Sequence, residues 1–144
     1  MPNLSENRRA RFDYEILETL EAGLELLGTE VKSVKAGRVN LTGSYGIIKN
    51  DEAWLLNCDI PAYQPKNAPK DYAPTRSRRL LITKKEIADL VGRLHEKGTR
   101  LIPLRLYLKK SLVKIELGLG RGRKTRDKRE VLKKRAVNRE LRDN

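Results

Sequence analysis

Tyr14-Glu15-Ile16-Leu17-Glu18-Thr19-Leu20-Glu21-Ala22-Gly23-Leu24-Glu25-Leu26 is the stretch that decides the fold. Its even positions carry Tyr14, Ile16, Leu20, Ala22, Leu24 and Leu26, broken only by Glu18, while Glu15, Thr19, Glu21, Gly23 and Glu25 fall on odd positions. Period two sends alternate side chains to opposite faces, so this reads as a long, half-buried strand with a bend or bulge at Gly23. The glutamates favour helix by intrinsic propensity, and the period argues against them.

Working outward, the same period recurs in two hairpins. Tyr45 and Ile47 lead to the turn signal Asn50-Asp51, after which Trp54, Leu56, Cys58 and Ile60 are expected to share one face. Ile102, Leu104, Leu106 and Leu108 alternate up to Lys109-Lys110-Ser111, and Val113, Ile115, Leu117 and Leu119 return. Two helices interrupt the strands. Thr29 to Val34 predicts a short one, capped by Thr29, with Val31 and Val34 inward and Gly37 ending it. Thr83-x-x-Glu86 is a capping box ahead of Ile87, Leu90, Val91 and Leu94, and Gly98 stops that second helix.

Short strands in hairpins with added helices place the chain in the mainly β class, as a small antiparallel barrel of the OB kind. An open sheet with a helix on one side has the same periodicities, and strand order is not written in the chain. Between Pro61 and Arg79 runs a proline-rich segment with Lys66, Lys70, Arg76, Arg78 and Arg79. Tyr63 and Tyr72 stand among those cations, either to meet looped RNA or to fold back on the barrel.

Charge divides the chain. The 144 residues carry a formal net charge of +13, with 32 Lys+Arg against 19 Asp+Glu. Residues 121–144 hold a net +7 and the preceding 120 only +6. The expected organisation is a barrel over 1–120 and a basic tail over 121–144. The tail's few apolar residues cannot offset an ordering cost of roughly 1–2 kcal/mol per residue, so it should be unstructured when free, with latent helical propensity. Such a charge balance calls for a polyanionic partner, nucleic acid first.

Other classes are excluded on composition. No run approaches a membrane span, and the first residues lack the apolar core of a secretory signal, which points to the cytoplasm. One cysteine and one histidine leave neither disulfide nor Cys/His metal cluster. Cys58 is expected in the core, and His95 at a helix end or on the surface. There is no HExxH or GxSxG and no nucleophile with a histidine partner, so no enzyme and no cofactor are expected. Gly118-Leu-Gly-Arg-Gly-Arg-Lys-Thr125 nearly spells a phosphate loop, but Arg123 occupies the second glycine position and an antiparallel hairpin precedes it. Its glycines instead suggest a flexible exit from the last strand.

Asn7-Arg-Arg-Ala-Arg-Phe-Asp-Tyr14, Glu21-Ala-Gly23, Gly28-Thr-Glu-Val-Lys-Ser33, Ser44-Tyr45, Pro74-Thr-Arg-Ser-Arg-Arg-Leu-Leu81 and Gly122-Arg-Lys124 with Asp127-Lys-Arg129 resemble, in order, the SsrA-binding (small protein B) family. The resemblance implies an OB-like barrel that binds the tRNA-like domain of transfer-messenger RNA. It also implies delivery of that RNA, with elongation factor Tu, to ribosomes stalled on truncated messages, and no catalysis. By matching positions it implies an RNA face of Asn7, Arg8, Glu21, Lys32, Arg76, Arg78, Leu81 and Thr83. In the tail, Gly122, Arg123, Lys124, Arg126, Asp127, Lys128 and Arg129 would meet the ribosomal small subunit at its decoding centre and mRNA channel. Two positions depart from the family: Thr83 replaces a usual His or Asn, and Arg126 replaces a usual aromatic residue or histidine. The alternative reading is a general RNA-coating OB protein without a delivery role. Against it, the seven aromatic residues are scattered rather than clustered on one strand.

Overall fold

The computed structural model describes residues 3–124, 128–130 and 132–136. Its elements, in chain order, are β1 (Asn3–Glu6), α1 (Ala10–Asp13), β2 (Tyr14–Leu24), α2 (Gly28–Lys35), β3 (Tyr45–Lys49), β4 (Glu52–Leu56), a 3-10 turn (Pro65–Asn67), β5 (Arg78–Leu81), α3 (Lys84–Leu94), β6 (Thr99–Lys109) and β7 (Leu112–Gly122). All pairings are antiparallel, in the order β1-β6-β3-β4-β5-β2-β7, and β6 also pairs with β7. The β6–β7 pairing turns the sheet into a ring, closing the fold as a barrel rather than an open sheet.

The ring is closed unevenly. β7 lies between β2 and β6 over nearly its whole length, whereas β3 meets β6 at one pair, Gly46↔Leu101, and β2 meets β5 at two, Gly23↔Leu81 and Leu24↔Leu80. Both thin seams close over a glycine. A Cβ on Gly46 would lie 2.6 Å from Leu101 Cδ2, and one on Gly23 would lie 3.1 Å from Leu81 Cβ. Gly23 is therefore a seam residue, not the expected bulge. The bulge in β2 falls between Ile16 and Glu18, at Leu17.

That bulge and another between Pro103 and Arg105 in β6 reverse which face each strand buries. Leu20, Ala22 and Leu24 of β2, Leu101 and Leu106 of β6, and Val113, Ile115, Leu117 and Leu119 of β7 fill the barrel interior. Before the bulges, Tyr14 and Ile16 point to the outer wall with Ile102, Leu104 and Tyr45, where α1 covers them through Ala10. The stripe from Ile102 to Leu108 therefore serves two cores. Gly118 and Gly120 lie within β7 on that outer wall, where a Cβ would meet Ile16 Cγ2 at 3.1 Å and Tyr14 Cβ at 2.9 Å. They permit close packing of the outer core and are not a flexible exit from the strand.

Both hairpin turns fall where expected, with Asn50, Asp51, Lys110 and Ser111 all at positive φ. In β4 the buried face is Ala53 and Leu55, while Trp54 and Leu56 point outward, contrary to expectation. Asn57, at φ 61°, resets the phase so that Cys58 and Ile60 are buried again. Burial pushes the Cys58 thiol up to about 11, as suits an inert core residue. Thr83 caps α3 as expected, its Oγ1 accepting from Glu86 N at 3.2 Å, and His95 is exposed at the other end. In α2 the cap is not Thr29. The helix begins at Gly28, and Glu30 reaches back to accept from Leu27 N at 2.8 Å.

Candidate nucleic-acid interface

The alternation that buries Leu20, Ala22 and Leu24 turns Glu21 and Gly23 outward, and register extends them into two rows across the outer wall. One row is Glu6↔Arg105↔Glu116↔Glu21, across β1, β6, β7 and β2; the other is Tyr107↔Lys114↔Gly23↔Leu81, across β6, β7, β2 and β5. The missing side chain of Gly23 lets Leu81 pack directly against β2, leaving half of Leu81 exposed beside Glu21's strand.

Glu21 does not point freely into solvent. The Tyr107 hydroxyl donates to Oε2, and Lys109 Nζ stands 3.2 Å from Oε1. These two hydrogen bonds hold the Glu21 carboxyl below its usual range. Burial and the bond to Glu21 push Tyr107 up to about 12. The carboxylate thus fixes an ammonium on the barrel wall, with Arg105 stacked on the Tyr107 ring at 4.3 Å and in turn 3.4 Å from Glu116. Arg105, Tyr107, Lys109 and Lys114 were absent from the sequence-based set. Their signal was available in part, since Arg105, Tyr107 and Lys109 are the positions that alternate with Leu106 and Leu108 along β6.

The other expected residues divide into exposed and buried. Lys32 and Arg8 are exposed, and Thr83 is exposed with its hydroxyl engaged by the α3 cap. Asn7 is buried. Its Nδ2 donates to Pro103 O at 2.9 Å and its backbone N–H to Leu104 O at 2.8 Å, which fixes the turn from β1 into α1. Asn7 and Arg8 follow Glu6 and so stand three strand spacings, about 14 Å, from Glu21.

Arg78 is 0% exposed and meets no surface. Its guanidinium faces Glu30, itself 1% exposed, with Nε 2.8 Å and Nη2 2.6 Å from Oε2, and it also donates to the carbonyls of Cys58 and Pro74 at 2.6 and 2.8 Å. Arg76 lies half-buried on the same carboxylate, and the Tyr72 hydroxyl is 3.0 Å from Glu30 Oε2 and 2.7 Å from Ile60 O. Burial opposes ionisation of Glu30, but the bonds from Arg76, Leu27 N–H and Arg78 outweigh it and hold the carboxyl at about 2. The proline-rich segment is therefore strapped to α2. Tyr72 folds back on the barrel, and Tyr63 stays partly exposed with Arg38 6.0 Å from its ring.

At the end of β7, Gly122 N donates to Gly98 O at 3.1 Å, and just beyond it Arg123 N donates to Asp13 O at 2.8 Å. Lys124 O accepts from Lys128 N at 3.1 Å, and residues 128–130 and 132–136 are helical. Arg129 is exposed, whereas Lys128 rests on α1 with Nζ 3.1 Å from Asp13 Oδ1. Arg126 and Asp127 lie outside the described residues.

A family model described as "SmpB protein" matches residues 4–144. Among curated proteins, an SsrA-binding protein of Thermosynechococcus vestitus is 54% identical over 138 residues, covering 96% of this chain and 91% of that one. Another, from Synechococcus elongatus, is 51% identical, covering 96% of this chain and 90% of that one. A chain of the solved structure described as "tmRNA-SmpB: a journey to the center of the bacterial ribosome" superposes with a TM-score of 0.70 at 47% identity, covering 84% of this chain and 85% of that one. With the ring of strands, the outer-wall rows and matches spanning nearly the whole length, the chain belongs to the SmpB family of SsrA-binding proteins.

Proposed function

We propose that this chain binds the tRNA-like domain of transfer-messenger RNA on the outer wall of β6, β7, β2 and β5. It would then bring that RNA, with elongation factor Tu, to stalled bacterial ribosomes for trans-translation in the cytoplasm. The observation that carries the reading is the Glu21–Tyr107–Lys109 group beside exposed Leu81. With Tyr107 itself buried beneath it, the group presents a fixed cation, Lys109, beside the apolar side chain of Leu81 on one wall, groups that suit phosphates and unstacked bases of a structured RNA. Glu21 acts by holding Lys109 in place, since a carboxylate is itself a poor partner for phosphate. Asn7 and Arg78 contribute by fixing the α1 turn and β5, while Arg8, Lys32 and Thr83 border the RNA from exposed positions and Arg76 from a half-buried one.

In this reading the segment from Gly122 through Arg129 reaches the decoding centre, and the basic residues beyond it enter the vacant mRNA channel. There, RNA phosphates supply the counter-charge that a helix of such composition needs.

Two measurements test the division of labour. Glu21→Ala should weaken binding of the tRNA-like RNA about tenfold in a filter or fluorescence titration, with an unchanged melting temperature; full affinity would remove the assignment. A chain ended after Lys124 should bind that RNA as the full chain does, yet fail to support peptide tagging on stalled ribosomes. Equal tagging by both chains would refute the tail's role.

A further inference from the structure

The proline-rich segment and α2 enclose a cavity of about 510 Å³. Leu27, which is half exposed, Tyr63 and Tyr72 supply its apolar lining, and Lys32, Gln64 and Asn67 border it with polar ends. None of the described residues that line it is acidic. Its walls are held from behind. Ser33 Oγ donates to Pro61 O at 2.7 Å, Arg38 Nη1 donates to Tyr63 O at 3.2 Å, and the Tyr72 hydroxyl is engaged by Glu30 and Ile60 O. Asn67 N donates to Gln64 O, and Asn67 Nδ2 to Gln64 Oε1, both at 2.9 Å. Among the described residues nothing engages the Gln64 amide N–H groups or Asn67 Oδ1, which leaves donors beside an acceptor on the cavity's border.

We propose that this cavity receives one unpaired nucleotide of the RNA partner, with its base against Tyr63 and Leu27 and its phosphate beside Lys32. An aromatic ring next to an apolar side chain suits the flat face of a base. Donors beside an acceptor complement the edge that a base uses for pairing, so an unpaired base fits where a paired one has nothing left to offer. The rim supplies the counter-charge. Lys32 and Lys35 of α2, Arg38 just past it, and Lys66 and Lys70 of the segment are exposed, and Asp71 is the single acidic residue between Pro61 and Arg79. An apolar peptide would fill the sides but leave these cations and the open amides without partners. The Glu30 clamp gains a second use here, because it fixes Tyr72 as a wall before the base arrives and so lowers the ordering cost of binding. The inference rests on the reading that this chain binds RNA, and it adds to that reading a site apart from the Glu21 wall.

The side-chain amide signals of Gln64 and Asn67 give a local NMR readout in the full-length chain. Single-stranded hexa-adenylate should shift both saturably at low salt, whereas an abasic oligomer of equal length and charge should leave them unmoved. Tyr63→Ala should weaken that titration about fivefold or more, and Tyr63→Phe, which keeps the ring, should retain it. Both variants should melt as the unaltered protein does. Equal shifts with the abasic oligomer, or shifts indifferent to Tyr63→Ala, would overturn the proposal. In a titration with the tRNA-like RNA, Tyr63→Ala should again lose about fivefold in affinity. Glu21→Ala separates the two sites. Full affinity in Tyr63→Ala with a loss in Glu21→Ala would overturn this inference and leave the outer wall standing, while a loss in Tyr63→Ala alone would support the cavity and remove the assignment of Glu21.

Discussion

Glu30 and Asp13 use the same parts, a carboxylate shared between two cations beside an aromatic ring, and differ in where they sit. Glu30 and Arg78 are sealed inside, with Arg76 and Tyr72 completing the shell and every remaining Arg78 donor directed at a carbonyl or hydroxyl. Asp13, Arg9 and Lys128 remain more than a quarter exposed, and their partners lie on a surface helix and beyond β7. Inside, an unpaired charge costs several kcal/mol, so the Glu30 group is permanent and straps the proline-rich segment to α2. Outside, water competes on nearly equal terms and the pairing is exchangeable. Burial thus makes one arrangement a clamp and leaves the other exchangeable.

The largest effect expected of breaking this contrast is from Glu30→Gln. The substitution leaves Arg78 buried without a counter-charge, and denaturant melts should show a loss of about 3–5 kcal/mol. For a domain of this size that is a fall in melting temperature of roughly 10 °C. A loss below 1 kcal/mol would mean that the clamp is not what holds the segment. The clamp should also appear in the pH dependence. The folded-state value of about 2 lies below the ordinary 4.5, so Glu30 contributes its full stabilisation above pH 4.5 and loses it as pH falls toward 2. The stability gap between the unaltered protein and Glu30→Gln should therefore narrow over that window; a constant gap would contradict the assignment. The smallest effect is expected from Asp13→Asn, which should change stability by no more than about 0.5 kcal/mol, and by nothing measurable in 1 M salt. An Asp13→Asn loss approaching that of Glu30→Gln would erase the distinction.

Local pattern carried some features of the molecule directly. Both hairpin turns, the α3 capping box, the inward Val34 and the core positions of Val113 to Leu119 follow from spacing and turn chemistry, which act between near neighbours. The candidate site was legible in part, through the resemblance to a family that named Glu21 and through the odd positions of β2 that set it outward. Arg78 illustrates the limit. Between Pro61 and Arg79 it is one cation among five, and nothing nearby shows that Glu30, 48 residues earlier, awaits it in the core.

What the sequence determined by itself was a basic, mainly antiparallel chain with its excess charge at one end, because alternation and charge are properties of order along the chain. The tertiary structure decided the rest. Bulges at Leu17 and beside Leu104 divided single stripes between two cores, Gly46 and Gly23 became seams, and Tyr107 and Lys109 met Glu21 from 86 and 88 residues away. These outcomes depend on strand register, and register is set by all the pairings at once as the ring closes, so no local stretch contains it.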